Sequence, residues 1–299
     1  MAESRPAVES SEVWTVARIL DATTPYLKQH GSDTPRLDAQ VLLAFVRKCS
    51  RIELYTNFNT PLTDAERAQM RDLVKRRSQA EPVAYLVGHR EFFSLDFKVT
   101  KDVLIPRPDT ETLVLEALER AKTFTAPRIL DLCTGSGCVV ISLAVSQPTA
   151  VCTATDISPA ALQIATDNAQ THKVADRITF LEGDLFAAIP HDAQFDLIVS
   201  NPPYVPEGEI AELEAEVRNH EPLGALKAGT DGMLFLTQIV EKASQHLVEG
   251  GWLVLETGIE QAPLTAKALE ARHDFSDVRI VKDTGGRPRV VLAQRIGPK

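Results

Sequence analysis

The chain has 299 residues, of which 44% are hydrophobic, and a formal net charge of −9. This length predicts about two domains, and the hydrophobic fraction is sufficient for real cores. No apolar run approaches the roughly 20 residues of a membrane helix, and residues 1–10 lack the apolar segment of a secretion signal. We therefore expect a cytoplasmic protein without a membrane partner.

The negative charge is concentrated in the second half of the chain. Residues 1–130 carry a net charge of +1 and residues 131–299 carry −10. The negative charge of residues 131–299 would repel a phosphate backbone, so nucleic acid is not expected as the main partner, whereas a basic protein or a cationic cofactor is compatible with it. The cysteines Cys49, Cys133, Cys138 and Cys152 form no CxxC pair and have no histidine cluster beside them. We expect small buried thiols and no metal site.

The first third of the chain has helical patterns. Residues 1–10 are expected to be a flexible tail, and apolar residues recur at helical spacing over residues 13–29. A second helix is predicted from Pro35. Thr63 and Glu66 form a capping-box pattern that starts a third helix, which ends in the basic cluster 75–77, interpreted as a solvated face. Residues 11–84 are therefore predicted to form a small α-helical bundle domain.

A connector is predicted over residues 85–108. Residues 91–99 alternate as in a β-hairpin, and Pro106 and Pro108 make the following segment extended and semi-rigid. Asp109 or Thr110 is predicted to cap a helix over residues 111–122. The second domain is placed at residues 109–299.

Strands and helices alternate from Pro127 onward. This alternation predicts an α/β domain with a mostly parallel sheet covered on both faces. The predicted strands are 128–133, 151–155, 178–181, 195–200 and 252–256, with a closing pair at 278–281 and 289–292. The predicted helices are 138–146, 159–171, 232–248 and 261–272.

A glycine-rich turn after the first of these strands indicates a nucleotide site. Thr134-Gly135-Ser136-Gly137 precedes a helix, and Asp156 ends the next strand, where an acidic residue takes ribose hydroxyls. The spacing is G-x-G without the third glycine, so a ligand with adenosine but no phosphates fits better, namely S-adenosylmethionine. Asp131 suits its sulfonium cation. The alternative is a plain strand–turn–helix, which the placement of Asp184 after the third strand makes less favoured.

The segment Asn201-Pro202-Pro203-Tyr204 follows the strand 195–200. Its prolines stiffen the chain and remove backbone donors, so it offers mainly acceptors. The Asn201 side-chain oxygen and the Pro202 carbonyl could take the two N–H bonds of a planar –NH2 group, with the Tyr204 ring against its plane. The alternative is a simple turn.

Together these features resemble the class I amino-methyltransferases, and within them the HemK/PrmC family. The narrower resemblance rests on ordered segments that cover nearly the whole chain from about residue 12: 35–39, 82–88, 91–95, 105–111, 201–204, 221–226 and 231–232. It implies a Rossmann-like, mostly parallel seven-stranded sheet behind a helical substrate-docking domain. It also implies transfer of a methyl group from S-adenosylmethionine to the side-chain amide nitrogen (N5) of glutamine. That glutamine lies in the Gly-Gly-Gln loop of peptide chain release factors.

The resemblance assigns roles by position. The implied catalytic residues are Asn201, Pro202 and Tyr204, and the implied substrate-binding residues are Asn201, Pro202, Pro203 and Tyr204. The implied cofactor contacts are Cys133, Thr134, Gly135, Ser136, Gly137, Asp156, Asp184, Leu185, Phe186 and Asn201.

Two positions depart from the family pattern. Cys133 replaces a usual glycine, which predicts an ordinary negative φ there and a slightly narrower approach for the cofactor. Leu185 follows Asp184 where a larger aromatic residue is common, so either Leu185 or Phe186 covers the adenine.

Two other functions are compatible with parts of this pattern. A nucleic-acid amino-methyltransferase would use the segment Asn201 to Tyr204, here called the clamp, to hold a flipped base. Such an enzyme should have a basic groove beside the clamp. Residues 205–231 instead hold seven acidic and two basic residues. A non-catalytic cofactor-binding module would not need the intact clamp. We expect a monomer and assign no general base.

Overall fold

The computed structural model describes residues 13–297, so the predicted tail at residues 1–10 lies outside the described part. The chain divides into two compact units, one ending at Val87 and one beginning at Gly88. Among the described residues, no helix has the length and apolar character needed to span a membrane.

The first unit is helical, as predicted. Its helices are α1 (Val16–Gln29), α2 (Pro35–Arg47), α3 (Arg51–Thr56), α4 (Asp64–Arg77) and α5 (Val83–Val87). The capping box at the start of α4 is confirmed, since Thr63 and Glu66 exchange side-chain and main-chain bonds. The short helix α3 was not predicted, although it starts with the same signal, a capping box between Ser50 and Glu53.

The core of the helical unit lies between the apolar faces of its helices. Leu20, Leu42, Leu43 and Met70 are almost completely buried there. Burying such a side chain contributes about 1.5–3 kcal/mol. In the basic cluster, Arg76 pairs with Glu81 and Arg77 with Asp38.

The second unit opens with a hairpin of β1 (His89–Phe92) and β2 (Leu95–Lys98). A seven-stranded sheet follows in the order β5-β4-β3-β6-β7-β9-β8, in which β9 is antiparallel to both of its neighbours, β7 and β8, and the other pairs are parallel. This confirms the predicted α/β fold with a mostly parallel sheet. Its strands are β3 (Arg128–Leu132), β4 (Val151–Asp156), β5 (Ile178–Glu182), β6 (Phe195–Ser200), β7 (Leu247–Glu256), β8 (Phe275–Lys282) and β9 (Pro288–Arg295).

Helices cover both faces of the sheet and bury two separate apolar cores against it. They are α6 (Glu111–Ala121), α7 (Cys138–Ser146), α8 (Pro159–Thr171), α10 (Leu234–His246) and α11 (Gln261–Glu270). The short helix α9 (Ala215–His220) lies between β6 and α10 in the chain and has no buried residue. The prediction that Asp109 or Thr110 caps α6 is wrong. A 3-10 turn at Pro108–Thr110 runs directly into α6, and neither side chain makes a cap bond.

The hairpin is held against α8 by one buried side chain. Asn168 accepts a hydrogen bond from the Lys98 amide (2.8 Å) and donates to the carbonyls of Lys98 (3.1 Å) and Ser136 (2.9 Å). The hairpin is therefore linked to the glycine-rich turn of the sheet unit.

The strand register places several chain segments at one sheet edge. Leu132 pairs with Thr155 on one side and with Ser200 on the other, and Ser200 pairs with Leu255. The strand order reverses between β3 and β6, which is where open α/β sheets bind their ligands. The residues that follow these strands therefore meet at this edge.

Candidate active site

A cavity of about 510 Å³ opens at the carboxyl edge of the sheet, within the range typical of small-molecule sites. Most of the predicted site residues line it: Cys133, Thr134, Gly135, Ser136, Asp156, Asp184, Leu185, Asn201 and Pro203. Four predicted residues, Gly137, Phe186, Pro202 and Tyr204, are not among its lining residues. The structure therefore brings together segments that are far apart in the sequence.

The backbone at Cys133 corrects one prediction. Its φ is +59°, so the predicted negative φ is wrong. The chain turns sharply after β3 because the Thr134 amide bonds to the Thr155 carbonyl at 3.0 Å. The turn therefore keeps the left-handed backbone that favours glycine, and the cysteine adopts it at a cost of about 1–2 kcal/mol.

The next part of the turn leaves room for a ligand. Gly135 has a φ of +56°, and a Cβ built there would meet no atom within 4 Å. Its amide donates to Asp156 Oδ2 (2.8 Å), while the Ser158 amide donates to Oδ1 (2.9 Å). Each oxygen keeps a lone pair for another donor. Burial raises the pKa of Asp156, against the effect of these amides.

Asp131 is almost completely buried at the end of β3. It accepts a hydrogen bond from the Thr134 hydroxyl at 2.7 Å. Burial raises its pKa to about 7. A cation in the adjoining cavity would favour its ionised form.

Leu185 and Phe186 face different surroundings. Leu185 lines the cavity, whereas Phe186 stacks on His246 with ring centroids 5.0 Å apart and planes inclined by 7°. Of the two residues predicted as candidates for the adenine contact, Leu185 lines the cavity and Phe186 does not.

Asn201 and Tyr204 are held by neighbours from distant segments. Asn201 Nδ2 donates to Thr110 Oγ1 at 3.3 Å, and the Tyr204 hydroxyl donates to Glu256 Oε1 at 3.3 Å. No described residue between 13 and 297 donates a hydrogen bond to Asn201 Oδ1 or a main-chain bond to the Pro202 carbonyl. Both predicted acceptors are therefore able to accept a hydrogen bond from a substrate.

Sequence reasoning missed the opposite wall of the cavity. This wall comes from the proline-rich segment and from the segment after α9, with Leu104, Pro106, Arg107, Thr110, Pro222 and Lys227 among its residues. The two segments are joined because buried Glu221 accepts hydrogen bonds from the Arg107 guanidinium and the Ile105 amide. Both lie in motifs used for the family resemblance, but the sequence contains no signal that pairs them.

Comparison with known proteins identifies the family. Residues 18–88 match the PrmC N-terminal domain, and residues 108–217 match the methyltransferase small domain. A release factor glutamine methyltransferase of Rhodopirellula baltica is 41% identical over 94% of this chain and 97% of its own length. The enzyme of the same name from Geobacter sulfurreducens is 44% identical over 97% of this chain and 99% of its own.

The chain belongs to the release factor glutamine methyltransferase family. The predicted family is therefore confirmed. Among solved structures, the hMettl16 catalytic domain in complex with a MAT2A 3′UTR hairpin superposes with a TM-score of 0.55. It is 18% identical and covers 76% of this chain and 83% of its own. At that identity the likeness concerns the fold alone.

Proposed function

We propose that this enzyme transfers a methyl group from S-adenosylmethionine to the side-chain amide nitrogen of glutamine in a peptide chain release factor. The single observation that supports this most strongly is a cavity at the sheet edge that combines the glycine-rich turn with Asn201 and Pro203. Family membership supports the same substrate class.

The residues around the glycine-rich turn fit S-adenosylmethionine. Asp156 can accept from ribose hydroxyls with its remaining lone pairs, and the absence of a Cβ at Gly135 leaves space beside it. Cys133, Thr134, Ser136, Asp184 and Leu185 would complete the cofactor contacts. When bound, S-adenosylmethionine supplies an electrophilic methyl group on a cationic sulfur, and Asp131 provides negative charge at the same edge of the sheet.

The clamp would hold the glutamine amide. Asn201 Oδ1 and the Pro202 carbonyl would each accept one N–H bond, Pro203 lines the cavity, and the Tyr204 ring would pack against the amide plane. An amide nitrogen shares its lone pair with its carbonyl, as the rotation barrier of about 18–20 kcal/mol indicates. Two fixed acceptors would stabilise the charge that develops on the nitrogen and hold it in line with the methyl group. A C–N bond would form as the C–S bond breaks and leaves its electron pair on sulfur, and water would accept the released proton.

The finer parts of the proposal concern organisation and partners. We propose that residues 11–84 help to dock the release factor, that 85–108 connect the domains, and that 109–299 form the catalytic domain. We further propose a cytoplasmic monomer that needs no metal. The free thiols, of which Cys138 and Cys152 are buried, are consistent with a reducing compartment.

A nucleic-acid substrate is not favoured. The surface that follows the clamp carries exposed acidic side chains, namely Glu207, Glu209, Glu212, Glu214 and Asp231. These would repel a phosphate backbone.

Mass spectrometry tests the proposed function. Purified release factor and duplex DNA are incubated separately with the enzyme and labelled cofactor. We expect one methyl group on the loop glutamine of the release factor and none on the DNA. Methyl label on the DNA, or a release factor whose loop glutamine stays unmodified, would overturn the proposal.

A further inference from the structure

The helical unit contains a groove of its own, with a volume of about 530 Å³. Its walls are side chains of residues 14–26, on and just before α1, and of residues 67–75 on α4. We call it the α1–α4 groove. The cavity at the sheet edge is lined by other residues, so the groove is a second concave surface of the chain.

Much of the lining of the α1–α4 groove is apolar. Met70 is only 2% exposed, Ile19 and Val74 are half-buried, and the Tyr26 side chain is exposed. Trp14 also lines the groove and is half-buried. Aliphatic and aromatic side chains on a concave surface are typical of grooves that take the apolar face of a partner helix.

A stripe of cations accompanies this apolar surface. Arg67, Arg71 and Lys75 all line the groove, and their spacing of four residues places them on one face of α4. Arg67 pairs with Asp64 at 3.0 Å. Within residues 13–297, Arg71 and Lys75 form no ion pair, and no carboxylate side chain lines the groove. The charge of the groove is therefore positive.

The cationic stripe does not stabilise its own helix. Like charges four residues apart on a helix repel each other and destabilise it. The region as a whole is not basic, since residues 1–130 carry a net charge of only +1, which disfavours a nucleic-acid surface. Three cations beside an apolar floor instead match a segment that carries both apolar and carboxylate side chains.

The length of the stripe indicates the size of that segment. Arg67 and Lys75 are eight residues apart on α4, which corresponds to about 12 Å. This is the length of about two turns of a partner helix. Carboxylates placed one turn apart along the edge of such a helix would match the spacing of the cations.

We propose that the α1–α4 groove docks an acidic amphipathic helix of the protein substrate. The apolar face of that helix packs on Met70 and Tyr26, and its carboxylates pair with Arg71 and Lys75. This inference rests on the proposed function, since the release factor is the substrate that the enzyme must hold. It gives the proposed docking role of the helical domain a defined surface and a defined partner chemistry.

Reversal of two charges in the stripe tests the proposal. In the double variant Arg71→Glu/Lys75→Glu, attraction becomes repulsion, so the dissociation constant for purified release factor should rise about tenfold or more. Between about 50 and 500 mM salt, wild-type binding should weaken more than binding of the variant, because salt screens exposed charges. Affinity for S-adenosylmethionine should stay unchanged. Calorimetric titration of the whole enzyme measures these effects.

The double variant Lys28→Glu/Arg51→Glu is the matched control. Both residues are exposed in the helical unit, and neither lines the groove. The net charge changes by the same amount as in R71E/K75E, so wild-type affinity for the release factor is expected. Circular dichroism of both double variants should show the helical content of the wild type, because all four side chains lie on the surface.

Cross-linking locates the partner segment directly. A carbodiimide joins a lysine amine to a carboxylate only where the two groups touch. In a mixture of enzyme and release factor, Lys75 should become linked to an Asp or Glu of one amphipathic helix of the release factor. The variant Lys75→Arg keeps the charge, so it should keep the affinity and lose this cross-link. Mass spectrometry of the digested complex identifies the linked residues.

Three results would overturn the inference. One is an unchanged release factor affinity in R71E/K75E, and another is an equal loss in the control K28E/R51E. The third is a Lys75 that becomes linked only to carboxylates of the enzyme itself. An RNA probe that R71E/K75E no longer binds, with release factor affinity unchanged, would assign the groove to nucleic acid instead. Failure of the proposed function is distinct, since wild-type enzyme would then bind the release factor and leave its glutamine unmethylated.

Discussion

Asp156 ends β4 and Asn201 follows β6 at the same sheet edge, on either side of β3, and different contacts hold the two side chains. Two backbone amides orient the Asp156 carboxylate, each within 2.9 Å. A single side-chain contact orients Asn201. Loss of the Asp156 side chain should therefore affect the cofactor, and loss of the Asn201 side chain should affect the reacting amide.

The variants Asp156→Ala and Asn201→Ala should separate these two roles. Hydrogen bonds to a charged group contribute about 1.5–3 kcal/mol each, so D156A should weaken S-adenosylmethionine binding by about 10- to 100-fold. N201A should keep that affinity and lower kcat by about 10²- to 10³-fold, as for removal of a donor or acceptor at developing charge. Calorimetric titration and steady-state rates measure the two effects. Near-normal turnover of N201A would contradict the clamp.

The left-handed backbone at Cys133 predicts a difference between two small substitutions. Cys133→Gly and Cys133→Ala both remove the thiol, but only glycine is free of strain at a φ of +59°. The glycine variant should therefore be more stable than the alanine variant by about 1 kcal/mol. Chemical denaturation of the two proteins measures this. An alanine variant of equal or greater stability would show that the turn relaxes.

Glu256 predicts a dependence of stability on pH. Burial raises its pKa to about 7, which the nearby Thr110 hydroxyl only partly offsets. A carboxyl with a raised pKa in the folded state stabilises the fold at low pH and loses that contribution as pH rises through about 7. The charged and titratable groups around it are Arg289, Tyr204 and Asp109, with Asp283 beside Arg289.

The substitution Glu256→Gln removes this titration. Between about pH 4.5 and 7.5, the free energy of unfolding of the wild type should fall relative to E256Q by roughly 2–3 kcal/mol. Asp131 titrates in both proteins and cancels in the comparison. Denaturation curves at several pH values measure the difference, and parallel pH profiles would show that Glu256 does not titrate in this range.

Helices and strands could be predicted from the sequence where the pattern that specifies them lies in neighbouring residues. The helix α7 is predicted at its observed limits because a glycine turn precedes a continuous apolar run. The capping of α6 was predicted wrongly because Asp109 instead pairs with Arg289 of β9 at 3.0 Å. An ion pair with a distant strand thus replaces a local hydrogen bond.

The turn before α10 packs tightly on the clamp. Gly232 has a φ of +77°, and a Cβ there would lie 2.3 Å from the Tyr204 carbonyl. Gly232→Ala should lower the free energy of unfolding by about 2–3 kcal/mol and reduce kcat, because the Tyr204 backbone must shift. Gly208→Ala is the control, since a Cβ at Gly208 meets nothing within 4 Å. Equal thermal unfolding and equal rates in both variants would contradict the argument.

At the scale of the whole molecule, the division into two units separates cofactor chemistry from the helical bundle. The cavity is lined only by residues of the unit that begins at Gly88. The acidic charge is also carried by the second half of the chain. These features agree with a cationic cofactor and a protein substrate.

Cofactor binding should therefore slow hydrogen–deuterium exchange in the unit that begins at Gly88. At about 100 times its dissociation constant, S-adenosylmethionine should stabilise that unit by about 2.7 kcal/mol. Hydrogen–deuterium exchange should slow at β3, β4 and the turns after them, and stay unchanged in α1 to α4. Equal protection of the helical unit would show that the cofactor acts beyond the sheet edge. The variant D156A should need a higher ligand concentration for the same protection.

The sequence by itself determined the α/β order, the helical character of the first region, and one wall of the cavity. These rest on short-range signals: hydrophobic periodicity, a glycine turn after a strand, and prolines that stiffen the clamp. Each depends on residues that are neighbours in the chain, so each can be recognised without knowing the packing.

Only the tertiary structure decided which distant side chains meet. Thr110 and Asn201 are 91 positions apart, and Arg107 and Glu221 are 114 apart. It also decided that the Cys133 backbone is left-handed, because a bond to β4 outweighs the preference of the residue itself. Such contacts depend on how the sheet register aligns separate strand ends, and no local pattern encodes that alignment.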